Sequence, residues 1–406
     1  MTRMSRAASK IISPAYVFSE DGFCRRAREV SETFGGSIGL CYSIKANPFL
    51  LHMLPEQFSR IEVCSPGELS ICEQLGTDMK RIVFSGVNKT QSEIVRAISD
   101  GVGILTAESP LQYDMICGCG READVLLRLS SGNQFGMDEG DIFRIIKERR
   151  QHPHIRVAGI HYFSGTMKKK PAKIIKELAY LEDFLDRLKQ ETGYYPAELE
   201  YGTGLAVDYF SEDADSLETA RLEEISPALN EMASRLSLTV EMGRFFAAPC
   251  GYYFSKVAET KTNKGISYAI IDGGIHQLKY DGQLQGMQIP VIDRLPAAAL
   301  DADGSLPAET AASLLQSAVP AEKHSPGGRW TLCGSLCTVA DVIAHEAPFE
   351  RLEAGDMLVF HRTGAYSVYE GMSAFLSRDM PRVYLLRADG RLESVRDRIE
   401  TYSFNY

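Results

Sequence analysis

At 406 residues the chain exceeds the size over which one hydrophobic core keeps growing, so two domains are expected, one of which has room to be a barrel of ordinary length. The formal net charge of −10 and a pI near 5.4 exclude nucleic acid and anionic membrane as natural partners, since both need a dominant basic field, and leave a small ligand as the expectation. The first residues, MTRMSRAASKIISPAY, carry basic side chains without the uninterrupted apolar stretch of a signal peptide. No later segment reaches the length of a membrane span, so a cytoplasmic protein without a membrane partner is expected. Nine cysteines in such a chain read as reduced thiols rather than a disulfide framework. Cys117 and Cys119, one residue apart and without a His-rich partner, do not make a zinc site, and no metal is expected.

From residue 38 to residue 244, short β-rich runs alternate with helical patterns, the signature of parallel βα units. In chain order the runs are IGLCYSIKA, IEVCS, IVFSG, VGILTAE, DVLLRL, VAGIHYF, ELEYGTG and LTVEMGR. Eight is the number of a (β/α)8 barrel of the TIM type. Between them PGELSICEQLG, TQSEIVRAISDG, DEGDIFRIIKERR and KIIKELAYLEDFLDRLKQETG place apolar residues three and four apart, as helices packed on one face do. Function in such a barrel gathers at the C-terminal strand ends, where this chain has Lys45, Glu62, Arg128, His161, Gly204 and Glu241. After Arg244 the pattern turns to strand-like runs (YYFSKVAET, ISYAIID, MLVFHR, RVYLLRA) with one helical stretch around ETAASLLQSAV, which predicts a separate β-rich domain. Residues 275–330, weakly patterned and rich in Ala, Pro and Gly, are expected to be long loops or an insertion. The fold class is therefore α/β, with a barrel over 28–246 and a β-rich domain from 1–27 and 247–406.

A lysine at the end of an apolar strand, Lys45 in CYSIKANP, is either a snorkelling surface residue or a desolvated amine able to form a Schiff base. The motifs around it decide between the two. YSIKANP, GIHYFSG, EYGTGL, EMGR, CGSLCT and GAY, in that order from about Ile38 to Ser377, resemble the motif set of the alanine-racemase-type barrel decarboxylases that use pyridoxal phosphate, a family that includes the diaminopimelate and ornithine decarboxylases. The resemblance implies a carboxy-lyase acting on amino-acid-type substrates, built as a homodimer with shared active sites.

Carried over motif by motif, the resemblance makes Lys45 the residue that holds the cofactor and His161 the histidine stacked on the pyridine face. Glu241 of EMGR matches the glutamate paired with the pyridine nitrogen, where an anion keeps that nitrogen protonated; a racemase of this fold places arginine there. Ser164, Gly202, Thr203, Gly204, Gly243 and Arg244 fit the need of a phosphate for close backbone N–H groups, hydroxyls and a cation. The family usually shows three glycines where this chain has Gly202, Thr203 and Gly204. Tyr366 in GAY resembles the tyrosine that completes the phosphate site from the partner subunit, and Cys337 the cysteine that crosses the interface and returns a proton to the α-carbon.

Two departures bear on the substrate. After the cysteine, diaminopimelate decarboxylases have glutamate and ornithine decarboxylases aspartate near the distal end of the substrate; this chain has Thr338, with Asp341 three residues on as a candidate replacement. The segment LRLSSGNQFGMDE also lacks a loop that many relatives insert. LCT at this place resembles members acting on amino acids joined to citrate or held on carrier proteins, so an acyl-carrier protein is a candidate partner. Lys168, Lys169, Lys170 and Lys173 are either a basic surface for such a carrier or a solvated helix start. The competing expectations are a diaminopimelate decarboxylase and a cofactor-binding regulatory protein without turnover.

Overall fold

The computed structural model describes residues 6–316 and 328–406. The chain divides into two compact units, one of residues 26–207 and 215–246, the other of residues 1–25, 208–214 and 247–406.

The first unit is a closed barrel of eight parallel strands: β1 (Gly39–Ser43), β2 (Phe58–Val63), β3 (Ile82–Phe84), β4 (Ile104–Ala107), β5 (Ala123–Leu129), β6 (Ile155–Phe163), β7 (Glu198–Gly202) and β8 (Ser237–Met242). β8 closes on β1 in the register Thr239 to Gly39 and Met242 to Tyr42. All eight expected strands are present. Their side chains are buried on both faces, as expected of parallel strands covered by helices, and Val83, Ile104, Leu126 and Ala158 pack as one cluster. Gly159 in β6 is dictated by crowding, because a Cβ there would lie 2.0 Å from the Glu198 carbonyl oxygen of β7.

The four helices expected from sequence are Pro66–Gln74, Gln91–Ser99, Glu139–Glu148 and Pro171–Thr192; Pro110–Gly118 and Ala214–Arg235 join them. Their starts are written locally. The Ser65 and Ser109 hydroxyls accept from the Glu68 and Gln112 amides, and Thr90 forms a full capping box with Glu93. Gly193 ends the longest expected helix in the left-handed conformation, with φ 67°.

The second unit is built on a ten-stranded mixed sheet. The N-terminal strand Ala15–Ser19 lies between Arg382–Leu386, to which it is parallel, and Gly251–Asn263, to which it is antiparallel. Both chain ends thus share one core, in which Val17, Phe254, Val359, Tyr384 and Leu386 are buried together. Residues 208–214 belong to this unit, where Tyr209 and Phe210 pack their rings against Tyr280.

The expectation of long loops over 275–330 is corrected in part. Ile292–Leu295 is a strand paired with Met357–Phe360, while Ala308–Gln316 is the helix expected around ETAASLLQSAV. Four residues reading IDRL have too little periodicity to reveal a strand whose partner lies some sixty residues on. The rest of the helical stretch around ETAASLLQSAV, from 317 onward, lies outside the described residues, as does the interval to 327.

Candidate active site

The apolar β1 delivers Lys45 from a 3-10 turn, Ile44–Ala46, immediately past the strand end. The following turn is capped by Asn47, whose side chain accepts from the Phe49 amide. Lys45 keeps 37% of its side chain exposed while its Nζ donates to Glu62 Oε2 at 2.6 Å and lies 3.4 Å from Glu241 Oε1. Cys64 Sγ is 3.8 Å from the same nitrogen and donates to Glu62 Oε1 at 3.2 Å.

Glu241, near the end of β8, is the hub. The Ser43 hydroxyl donates to its Oε1 at 2.6 Å, and His161 Nε2, from β6, lies 3.0 Å from its Oε2. Burial pushes the Glu241 carboxyl up, but the Lys45 ammonium, His161 and the Ser43 hydroxyl outweigh it and hold the group well below the usual carboxylate range. His161 is buried, and its Nδ1 has no hydrogen-bond partner among the described residues.

Gly202 ends β7 opposite Glu241 of β8, so the Gly202–Gly204 and Gly243–Arg244 segments leave the barrel side by side. Side chains are excluded there. A Cβ at Gly204, whose φ is 60°, would lie 1.8 Å from the Gly165 carbonyl oxygen, and one at Gly202 would lie 2.5 Å from Phe163 Cδ2. A Cβ at Gly243 would come within 2.8 Å of the Ser43 carbonyl oxygen. Thr203 is fully buried, its hydroxyl oxygen accepting from the Leu205 amide at 3.3 Å, so its backbone follows the same path as a glycine.

Ser164 departs from expectation. Its hydroxyl donates to Glu177 Oε1 at 2.6 Å, and Glu177 Oε2 accepts from Lys168 Nζ at 2.6 Å and Tyr201 OH at 2.8 Å. The basic run therefore splits. Lys168 is buried in this network, while Lys169, Lys170 and Lys173 are exposed.

Cys337, Thr338, Asp341 and Tyr366 belong to the other unit. Cys337 is exposed and, like the other eight cysteines, free. Asp341 is only 2% exposed, and its two oxygens accept from the Ile275 amide at 2.9 Å and the Leu336 amide at 2.7 Å. These bonds tie it into the loop that carries Cys337, and Gly334 has no room for a Cβ because Asp341 lies 2.3 Å from that position. Tyr366 is half-buried with φ 63°, a conformation that bulky residues adopt only where the surrounding chain imposes it.

Sequence reasoning passed over four groups. Arg60 of β2 reaches Glu198 at 2.5 Å and Glu200 at 3.3 Å. Glu200 is fully buried, and only the unusual ELE spelling of its strand hinted at this. Lys89 is buried on the Gly86 and Thr106 carbonyls and Gln112, and burial lowers its pKa to about 8. Glu108 pairs with Arg128 and accepts from the Gly136 amide at 2.9 Å, while Arg128 lies over the Phe135 ring, so this pair fixes the short QFG loop.

This constellation has the features a pyridoxal group needs: an amine at the barrel mouth, a buried anion, a buried imidazole with an unpartnered nitrogen, and adjoining segments cleared of side chains for a phosphate. The family model described as pyridoxal-dependent decarboxylase, pyridoxal binding domain, matches residues 20–248, and the chain belongs to that family. It is a pyridoxal-phosphate-dependent amino-acid decarboxylase of the barrel type. Similar proteins include an L-glutamyl-[BtrI acyl-carrier protein] decarboxylase of Niallia circulans, 23% identical over 95% of this chain and 91% of that one. A diaminopimelate decarboxylase of Methanocaldococcus jannaschii is 23% identical over 98% of this chain and 91% of its own. The 2-[(L-alanin-3-ylcarbamoyl)methyl]-2-hydroxybutanedioate decarboxylase of Staphylococcus aureus is 24% identical over 91% and 93%. A crystal structure of the M. jannaschii diaminopimelate decarboxylase has the same fold, with a TM-score of 0.79 at 21% identity over 96% of this chain and 90% of that one. Among the described residues no helix is long and apolar enough to cross a membrane.

Proposed function

We propose that this decarboxylase removes the α-carboxylate of an amino acid conjugated through its side chain or held on an acyl-carrier protein, in a cytoplasmic homodimer with shared active sites. One observation carries the substrate reading: Asp341, the one acidic side chain between Gly334 and Val342, is buried and held within its own loop by the Ile275 and Leu336 amides. A distal ammonium entering this pocket would lose hydration without an anionic partner from that loop. The relatives acting on a carrier-bound glutamyl group and on a conjugated alanine support the reading. The nine free cysteines fit a reducing compartment.

In this reading Lys45 holds the cofactor, which supplies an electron sink for the pair released when the α-carboxylate leaves. Glu241, kept anionic, would favour a proton on the ring nitrogen of the bound group, and His161 would pack against its ring. The backbone of Gly202, Thr203, Gly204 and Gly243, with Arg244, Ser164 and the partner's tyrosine equivalent to Tyr366, holds the phosphate; Ser164 must first turn its hydroxyl from Glu177. Cys337 of the second copy returns a proton to the α-carbon, a task suited to a thiol whose ordinary pKa lies near neutrality.

Carbon dioxide release should be compared for free diaminopimelate, lysine and ornithine against side-chain-conjugated and carrier-bound amino acids. The conjugates or carrier-bound forms should turn over at least tenfold more efficiently, about 1.4 kcal/mol in transition-state stabilisation. Saturable, efficient turnover of free diaminopimelate would restore the second reading, that of a diaminopimelate decarboxylase, which the M. jannaschii relative favours.

A further inference from the structure

We propose that Glu200 is a positioning residue for the Glu241–His161 pair, a neutral carboxylic acid set one layer into the barrel and anchored by Arg60. The inference rests on the reading that Glu241 and His161 serve the pyridoxal ring. Glu200 pairs in register with His161 on β6 and lies two residues before Gly202, which faces Glu241 on β8. Glu200, His161 and Glu241 each bring a polar atom within 4.8 Å of the other two.

Charge counting shows why Glu200 keeps a proton. Facing it are Arg60 and Glu62 from β2, Glu241 from β8, His161 from β6, Cys41 from β1 and its strand-mate Glu198, with Lys45 beyond Glu241. In the cofactor-free protein four carboxyls thus share two cations, Arg60 and Lys45. Lys45 is taken by Glu62 and Glu241, and Arg60 meets Glu198 more closely than Glu200. Glu200 is left with one oxygen on Arg60 at 3.3 Å and the other without a hydrogen-bond partner among the described residues, on a side chain with no exposed surface. A second buried anion so close to Glu241 would be repelled by it, and the proton goes to the carboxyl with the fewest partners. Burial and the neighbouring Glu241 push the Glu200 carboxyl up to about 8, against the pull of Arg60.

The consequence is a division of labour between two buried acids. With Glu200 neutral, Glu241 is the single anion at the pair, its charge is directed to His161, Ser43 and Lys45, and it would be available to a bound ring nitrogen. Loss of the Glu200 proton places a second anion beneath them, so cofactor and pair should change state together on the alkaline side.

The test starts with infrared spectroscopy of the cofactor-free protein, in which a protonated buried carboxyl gives its own C=O band. That band should be present at neutral pH, fade as pH rises through about 8, and be missing from Glu200→Gln. In the loaded enzyme Glu200→Gln should lose the alkaline limb of the kcat profile and of the cofactor's absorbance titration, a change a merely structural role would not produce. Arg60→Gln is the second variant, and serves alone if Glu200→Gln fails to fold: removing the cation should move the band's midpoint upward by at least one pH unit. No band at neutral pH, a band retained in Glu200→Gln, an unchanged alkaline limb, or an unmoved midpoint in Arg60→Gln would each overturn the proposal. Glu241→Gln separates it from the underlying reading. If that variant leaves the absorbance titration unaltered, the role of Glu241 fails while the infrared result on Glu200 stands.

Discussion

Lys45 at the barrel mouth donates to Glu62 at 2.6 Å and lies 3.4 Å from Glu241, and it is the amine proposed to hold the cofactor. Lys45→Ala should therefore abolish the borohydride-reducible link to the cofactor, read by mass spectrometry of the reduced protein; a link persisting in the variant would place the attachment elsewhere. Glu241 makes a second, pH-dependent contribution. Its folded-state carboxyl titrates well below the unfolded value, so the stability it adds is complete above the ordinary carboxylate range and is lost as pH falls towards its depressed folded value. Thermal unfolding of Glu241→Gln against pH should show a flatter acid limb than the parent, and an identical limb would contradict the assignment. At the distal end, Thr338→Glu should weaken use of a conjugated substrate at least tenfold in kcat/KM, since the new carboxylate would be left unpaired.

Elements of the barrel owe their boundaries to local chemistry and their spacing to crowding. The capping box at Thr90 belongs to the first kind, and Thr90→Ala should cost about 1 kcal/mol in a denaturant titration. Gly204 belongs to the second. Its positive φ and the Gly165 carbonyl oxygen 1.8 Å from the missing Cβ leave no room for a side chain, so Gly204→Ala should destabilise the protein by about 2–4 kcal/mol and displace the backbone proposed to bind the phosphate. Equilibrium unfolding with a parallel cofactor titration checks both effects; parent-like stability and affinity would show that the loop yields. The short strand Ile292–Leu295 behaves differently, because no local signal marks it and pairing with Met357–Phe360 alone makes it a strand.

Across the whole molecule, the residues proposed to bear on catalysis are divided between the barrel unit and the β-rich unit. The proposed homodimer with shared sites gives a direct expectation. Lys45→Ala and Cys337→Ala, each nearly inactive alone, should recover about a quarter of parent activity when mixed equally and re-dimerised, since half the dimers are mixed and each holds one intact site. Demonstrated subunit exchange without recovery would show that Cys337 does not act across the interface.

The sequence by itself determined the eight strands, four of the helices, the separate β-rich region and the cofactor chemistry, because periodicity, capping residues and the spelling around Lys45, His161 and Glu241 are local properties of the chain. Tertiary structure decided what depends on partners distant in sequence. Asp341 read as a candidate substrate ligand, and the fold turned its oxygens onto the Ile275 and Leu336 amides. Ser164 read as a phosphate ligand, and folding brought Glu177 to its hydroxyl. Lys168, part of a basic run on paper, is buried on that same carboxylate. Arg60 and Glu200 gave little sign of themselves, since an isolated charge in an apolar strand acquires its meaning only when barrel closure brings together side chains 140 residues apart and the dehydration of each must be met by the other.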